Sequence, residues 1–327
     1  MKRFELVLWC CVSSCAAGPA PQPRPQPEPA LATAKMSAED LLAAGKAYNQ
    51  SGESAKAIEA LKQAIELDPN RAEAHFEMGL ALSRLERLEE ATAPLARCLE
   101  LAPDHVEAAL LLGMTYDLLQ RFDAAAAVYQ QALARHPDDS RLLHQSGITQ
   151  VMRGQVAPGI EILERADKAA EGKDAPLAGD LGYALLLARQ FDKAIETLRR
   201  ASALDPKEPD YPRNLAKACL AAEKYPCAED ALAALIALNP EDGEAHLQLG
   251  LARIRDRRYP AAEEALKNAL RLLPDDPRGY FLLGTCQEAR GALREAEASM
   301  KTALAKDPGF APAKKWLAAP RPAKGKR

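Results

Sequence analysis

Aromatic residues are scarce in this 327-residue chain: Phe, Trp and Tyr together make up 5% of it, although 48% of the residues are hydrophobic. A core with so few rings must consist mainly of Ala and Leu side chains. That composition suits closely packed helices and argues against a β-sandwich or barrel. Catalytic motifs are also missing, because no G-x-S-x-G, H-E-x-x-H, P-loop or G-x-G-x-x-G pattern occurs. The sequence therefore predicts an all-helical protein that is not an enzyme.

Metal and cofactor binding lack a sequence pattern as well. The seven cysteines contain no C-x-x-C pair, and the five histidines are far apart along the chain. Neither a zinc site nor thioredoxin-type chemistry is therefore indicated. His105 begins a fragment of the zinc-deaminase pattern, but the cysteine pair that completes it is missing. We expect no cofactor, no metal and no small-molecule substrate.

The net charge of −3 hides an uneven distribution of charge. Residues 38–310 carry a net charge of −11, whereas residues 311–327 carry +6. Because an acidic body repels a phosphate backbone, nucleic acid is not an expected partner. After residue 15 no apolar stretch is long enough to span a membrane. We interpret the basic tail as solvated, and its contact with anionic lipid or a partner is the alternative.

Residues 38–310 repeat with a period close to 34. Residues 38–71 read as a helix, a turn at Ser51-Gly52, a second helix and a closing Pro69. Apolar residues three and four apart give each helix one face to bury. The same small residues return in the first helices, as Gly45, Gly79, Gly113, Gly147, Gly182, Ala216, Gly250 and Gly284. The eight repeats span residues 38–71, 72–105, 106–139, 140–174, 175–208, 209–242, 243–276 and 277–310.

Two places depart from this regularity. Repeat 4 has 35 residues and no closing proline. We therefore predict a looser and more mobile junction at residues 170–176. Pro94 lies inside the second helix of repeat 2, where a proline is predicted to kink or shorten the helix.

Each repeat has small residues where helices touch, Leu or an aromatic residue at the end of the first helix, and in most cases a terminal proline. This pattern resembles the tetratricopeptide repeat family. The resemblance covers residues 38–310 and implies an all-α, right-handed α-solenoid of eight helix-turn-helix repeats. Residues 311–317 begin like another first helix. Trp316 and Leu317 are expected to cover the exposed face of repeat 8, as the end of such an array requires.

In this family the first helices line a concave groove that binds peptides or partner helices, through positions 2, 5, 9, 12 and 13 of each repeat. The resemblance implies an apolar groove formed by Phe76, Leu80, Leu110, Met114, Leu118, His144, Ile148, Val151, Met152, Tyr183, Leu186 and Leu187. Contiguous apolar surface of this kind usually marks a binding site. The alternative is that neighbouring helices bury part of it as core.

Some family members hold a terminal carboxylate with basic groove residues. Arg213, Asn214 and Lys217 of repeat 6 resemble that arrangement and form a possible anion-binding patch. Glu244 stands where repeat 7 would need a basic residue, so a chaperone-type clamp is not expected.

The internal cysteines allow two interpretations. Cys98 replaces a small residue at a packing position and is expected in the core. Cys219 and Cys227 lie on either side of the turn in repeat 6, so a disulfide is possible if the protein is exported. The alternative is that both thiols are free.

The N-terminus resembles a bacterial lipoprotein signal. Residues 1–14 combine a positive start with a short apolar segment, and Val12-Ser13-Ser14-Cys15 resembles a lipobox, although Glu5 interrupts the apolar segment. The resemblance implies cleavage before Cys15 and lipidation of its thiol. Residues 15–37 contain alternate prolines and read as an extended tether. The alternative is a cytosolic N-terminus that merely contains cysteines.

Together these patterns predict a non-catalytic scaffold that binds a protein or peptide partner. We expect a lipoprotein of the outer membrane that faces the periplasm and aids assembly of a cell-envelope complex. The alternative is a soluble cytoplasmic adaptor or cochaperone. A regulated enzyme subunit would need a catalytic domain of which the sequence has no sign.

Overall fold

The computed structural model describes residues 36–319, and this range contains seventeen α-helices and no β-strand. The proposed signal peptide, Cys15 and nearly all of the proline-rich tether lie outside the described residues, as does the basic end of the tail. The all-helical fold class predicted from the sequence is confirmed. The described chain divides into two compact parts, which we call the N-terminal body (residues 36–170) and the C-terminal body (residues 171–319).

The N-terminal body contains repeats 1 to 4 as four helical hairpins. Its helices are α1 Ala38–Gln50, α2 Ser54–Leu67, α3 Ala72–Arg84, α4 Leu88–Leu101, α5 Val106–Leu118, α6 Phe122–Leu133, α7 Ser140–Met152 and α8 Val156–Ala169. Each helix packs on the next along the chain, and α1, α3, α5 and α7 also touch their neighbours in that series. The hairpins therefore bury their apolar faces against one another, as stacked repeats must.

The C-terminal body contains repeats 5 to 8 and one further helix. Its helices are α9 Ala175–Leu187, α10 Phe191–Leu204, α11 Asp210–Ala221, α12 Tyr225–Leu238, α13 Gly243–Arg255, α14 Tyr259–Leu272, α15 Pro277–Ala289, α16 Leu293–Lys306 and α17 Ala311–Ala318. Consecutive helices again pack on each other. Seven of the eight first helices begin at the first residue of their repeat, and α11 begins one residue later because Pro209 is its N-cap.

The recurring glycine of the first helix lies against a large side chain sixteen residues later, on the second helix of the same hairpin. A Cβ atom on Gly79 would lie 2.4 Å from Cγ of Leu95, a side chain with no exposed surface. The same relation joins Gly113 to Tyr129, where the distance to the ring would be 2.3 Å. These contacts leave no room for a methyl group, so glycine sets the separation of the two helices.

Aspartates before several first helices cap them. Asp139 accepts hydrogen bonds from the backbone N–H groups of Arg141 and Leu142 at 3.0 and 3.1 Å. Asp174, Asp242 and Asp276 cap α9, α13 and α15 in the same way. Their position reflects the four unpaired N–H groups at a helix start rather than chemistry at a site.

Pro94 does not shorten its helix. The helix α4 has 14 residues, the same length as α2, and continues through Pro94 to Leu101. The side chains of Ala91, Leu95 and Cys98 on either side of the proline are fully buried. We attribute the persistence of α4 to this packing, which compensates for the one backbone hydrogen bond that proline cannot donate.

The end of repeat 4 is irregular in backbone as well as in sequence. Glu171 and Gly172 are consecutive residues with positive φ, at 54° and 67°, and the boundary between the two bodies falls at Ala170 and Glu171. The chain then resumes helix at Ala175 after the Asp174 cap. The mobility expected at residues 170–176 stays a prediction.

The helix α17 covers the last repeat. Its Ala313 is fully buried in a cluster with Met300 and Ala303 of α16. Trp316 donates a hydrogen bond from Nε1 to the Glu288 carboxylate at 2.7 Å. Through these contacts α17 packs on both helices of repeat 8.

Candidate functional site

The groove positions of the N-terminal body lie on α3, α5 and α7, and their exposure separates them into two groups. Leu110 and Met114 are core residues, with 6% and 4% of their surface exposed. The other apolar side chains at these positions are partly or fully exposed, and we call them the apolar strip: Phe76, Leu80, Leu118, Ile148, Val151 and Met152. Met152 is the most open of these, at 43% exposed.

Leu110 is buried because it packs into the core of repeat 3. Its cluster includes Ala125 and Tyr129 of α6 and Leu142 of α7. Substitutions at Leu110 or Met114 would therefore damage the fold before they report on binding. The strip that a partner could touch is narrower than the sequence pattern indicates.

Three charged residues at position 2 of their repeats, Glu73, Glu107 and Arg141, form one margin of the strip together with Lys46. Lys46 pairs with Glu73 at 2.8 Å, and Arg141 pairs with Glu107 at 3.4 Å. His105 lies between these two pairs, with its Nδ1 3.6 Å from the Glu107 carboxylate. Its ring also stacks on Phe76 at 4.6 Å between centroids. An apolar centre with a polar margin is the usual anatomy of a protein interface.

His144, at position 5 of repeat 4, is half-buried and lies on α7 with Ile148 and Val151. Its neighbours on the strip are apolar, so it supplies a polar group inside the predicted groove.

An open cleft of about 640 Å³ adjoins the strip at Met152. Its other lining residues come from the turns of repeats 3 and 4: Gln120, Arg121, Phe122, Asp123, Ala124, Arg153 and Gln155. Arg153 pairs with Asp123 across the two repeats at 2.7 Å. The groove positions predicted from the sequence lie only on first helices. The cleft residues lie in the turns that follow those helices and at the start of α6, so the groove pattern does not include them.

In the C-terminal body Tyr183 and Leu186 are half-buried and Leu187 is 47% exposed. All three lie on α9. They form a short apolar face of the C-terminal body.

The possible anion patch is largely neutralised. Arg213 pairs with the carboxylates of Asp210 and Asp242, and Asn214 is buried. Lys217 is exposed, with its Nζ 3.5 Å from Oδ1 of Asn214. Because two carboxylates already compensate the guanidinium, a further anion would gain little at Arg213.

Cys219 and Cys227 are joined by a disulfide between α11 and α12, with 5.7 Å between their Cα atoms. Cys98 and Cys286 are free and buried. Burial raises the pKa of the Cys98 thiol to about 11, so it stays protonated at neutral pH. Cys98 therefore lies in the core, as its position in the repeat predicted.

His75 and His105 each contact the backbone. Nε2 of His75 lies 2.9 Å from the Pro69 carbonyl oxygen, and Nδ1 of His105 accepts from the N–H of Ala108. Within residues 36–319 no group of His, Cys, Asp or Glu side chains is arranged to hold a metal ion. In the same range no helix is long and apolar enough to cross a membrane.

Helical hairpins that bury their faces only against one another define a helical-repeat protein. Models of the tetratricopeptide repeat match residues 86–145 and the overlapping segments 180–243, 213–277 and 247–309, and a TPR repeat model matches residues 45–86. This chain belongs to the tetratricopeptide repeat family. Such repeat families are generally non-catalytic, and their members bind protein or peptide partners.

Solved structures are similar to part of this chain. A crystal structure of MamA is 24% identical, with a TM-score of 0.50, and the match covers 57% of this chain and all of that one. MamA from Desulfovibrio magneticus RS-1 is 20% identical, covering 53% and 98% of the two chains, with a TM-score of 0.49. YrrB, a TPR protein with an unusual peptide-binding site, is 23% identical over 57% and 96%, with a TM-score of 0.49. No protein with a curated description matches in sequence.

Proposed function

We propose that the N-terminal body binds a segment of a protein partner across the apolar strip. The observation that carries this proposal is the recurrence of half-exposed apolar side chains at the groove positions of α3, α5 and α7, helices that touch in that order, up to the open Met152. A monomeric surface rarely keeps such a patch without a use. Met also suits partners of varied shape, because its side chain is flexible and polarizable.

The charged margin from Lys46 to Arg141 would orient the partner and exclude wrong ones, since rim charges contribute more to specificity than to affinity. Within this proposal the scaffold is a non-catalytic binding module.

Substitution of Met152 with Glu tests the binding site. A charge within the apolar contact should weaken partner capture about tenfold, because an unpaired charge at a desolvated contact is strongly unfavourable. Leu67→Glu is the matched control, since Leu67 is 60% exposed at the end of α2 and outside the strip. Capture of the partner by Met152→Glu at the wild-type level, with the fold intact by circular dichroism, would contradict the proposal.

The proposal includes a tether: a lipoprotein anchored through Cys15 to the outer membrane, facing the periplasm and aiding assembly of a cell-envelope complex. The lipobox-like sequence and the proline-rich segment support it. The Cys219–Cys227 disulfide also supports export, since such bonds persist in oxidising compartments. A soluble cytoplasmic adaptor is the competing proposal, and it predicts that both thiols are reduced in the cell.

Cys15→Ser separates the two proposals. For a lipoprotein the variant should move from the membrane fraction to the soluble fraction, because the acyl anchor is lost. If wild type and variant partition identically, the tether is wrong, while the proposal for the apolar strip stands independently.

A further inference from the structure

Asp117 is the one buried carboxylate among the described residues, with 9% of its surface exposed. It lies in the last turn of α5 at position 12, a groove position of repeat 3. No basic side chain in the described range pairs with it. Such a group is costly to bury in its charged form.

Two hydroxyl groups from two other helices contact this carboxylate. Thr149 of α7 donates to Oδ2 at 2.8 Å, and the Tyr129 hydroxyl of α6 donates to the same oxygen at 3.3 Å. The other oxygen, Oδ1, is buried without a partner. Asp117 therefore links repeat 3 to repeat 4 through neutral donors only.

This arrangement is particular to repeats 3 and 4. The position of Tyr129 is occupied by Leu61, Leu95 and Leu163 in the other repeats of the N-terminal body. Only the longer Tyr side chain, lying across Gly113, carries a hydroxyl as far as Asp117.

The charged groups on the neighbouring elements are engaged elsewhere. The pairs are Arg87 with Glu90 on α4, Arg121 with Glu89, Arg153 of α7 with Asp123 of α6, and Arg141 of α7 with Asp139 and Glu107. His144, also on α7, has its own contacts. None of these pairs includes Asp117, so its charge stays uncompensated.

Burial raises the pKa of Asp117 from the usual 3.8 to about 7, and the hydrogen bonds from Thr149 and Tyr129 lower it only in part. Between pH 3.8 and about pH 7, Asp117 of the folded chain holds a proton that the unfolded chain has released. The stabilisation from this group is therefore fully present below pH 3.8, decreases as pH rises, and is lost above about pH 7.

We propose that Asp117 makes the packing of repeats 3 and 4 pH-sensitive: the packing is stable while the buried carboxyl is protonated, and it weakens on ionisation because an uncompensated charge must then stay buried. Because α7 carries Ile148, Val151 and Met152, the shape of the apolar strip would then respond to pH. That consequence for partner binding rests on the proposed function, whereas the effect on repeat packing does not.

Hydrogen exchange of the α7 backbone amides in the full chain tests the proposal. After correction for intrinsic exchange, wild-type protection should fall about 100-fold from pH 5 to pH 8, since pH 5 is two units below the folded pKa. In Asp117→Asn this fall should disappear. Asp123→Asn, which removes a carboxylate that is 90% exposed, is the matched control and should keep the wild-type dependence.

A direct titration covers the case in which Asp117→Asn fails to fold. The carboxyl ¹³C shift of Asp117 should move with a midpoint near pH 7 in the wild type, and Thr149→Val should raise the midpoint because it removes a donor that favours the charged form. A midpoint below pH 5, or the same pH dependence of exchange in Asp117→Asn, would overturn the proposal. Either result leaves partner binding at the apolar strip untouched.

Discussion

Gly79→Ala tests whether glycine sets the separation of the helices in a hairpin. The new Cβ would lie 2.4 Å from Cγ and 2.5 Å from Cδ2 of Leu95. Leu95 is fully buried and has no space into which to move. Overpacking of this kind costs about 1–3 kcal/mol. Exchanging Gly for Ala inside a helix restores about 1 kcal/mol, so we expect a net destabilisation of about 1 kcal/mol.

Urea unfolding followed by circular dichroism measures the change, and hydrogen exchange assigns the transition to the N-terminal body. Leu95→Ala alone should cost about 2–5 kcal/mol. Combined with Gly79→Ala it should cost less than the sum of both, because the new methyl group enters the space that Leu95 leaves. Gly284→Ala is the control, since there the nearest atom is the terminal methyl of the flexible Met300.

Two outcomes would refute this reasoning. One is a Gly79→Ala protein more stable than the wild type by the full helix-propensity gain. The other is strict additivity of Gly79→Ala and Leu95→Ala. Either would mean that the backbones are not held at the separation that the structure shows.

Two further predictions concern local elements. Reduction of the Cys219–Cys227 disulfide, which closes a loop of 8 residues, should lower the free energy of unfolding of the C-terminal body by about 2.5 kcal/mol. The control is the double Cys→Ser variant, which should not respond to reductant. Asp139→Ala should cost about 1 kcal/mol, because it leaves two N–H groups of α7 without their acceptor. Urea unfolding measures both, and an unchanged midpoint would contradict the corresponding prediction.

The sequence predicted the repeats well because their signals are local. A glycine or proline acts on its own turn of helix, and the spacing of such residues marks where each helix begins. The helix starts at Ala72, Val106 and Ser140 follow from this spacing alone. Pro94 shows the limit of such local signals, since α4 keeps its full length of 14 residues through the proline.

The candidate site was less predictable because burial depends on neighbours distant in sequence. A groove position identifies the face of a helix but not how closely the next helix approaches. Leu110 and Leu118 are both groove residues on α5, yet only Leu118 keeps exposed surface. In the sequence Asp117 is indistinguishable from other polar residues of the first helices, since its contacts with Tyr129 and Thr149 come from two other helices.

The central claim is that a partner lies on the apolar strip, and site-specific photocrosslinking tests it most directly. A benzophenone amino acid at position 152 should crosslink the partner, and the same group at position 67 should not, although both sites are exposed. Crosslinking from position 67 with none from position 152 would contradict the account.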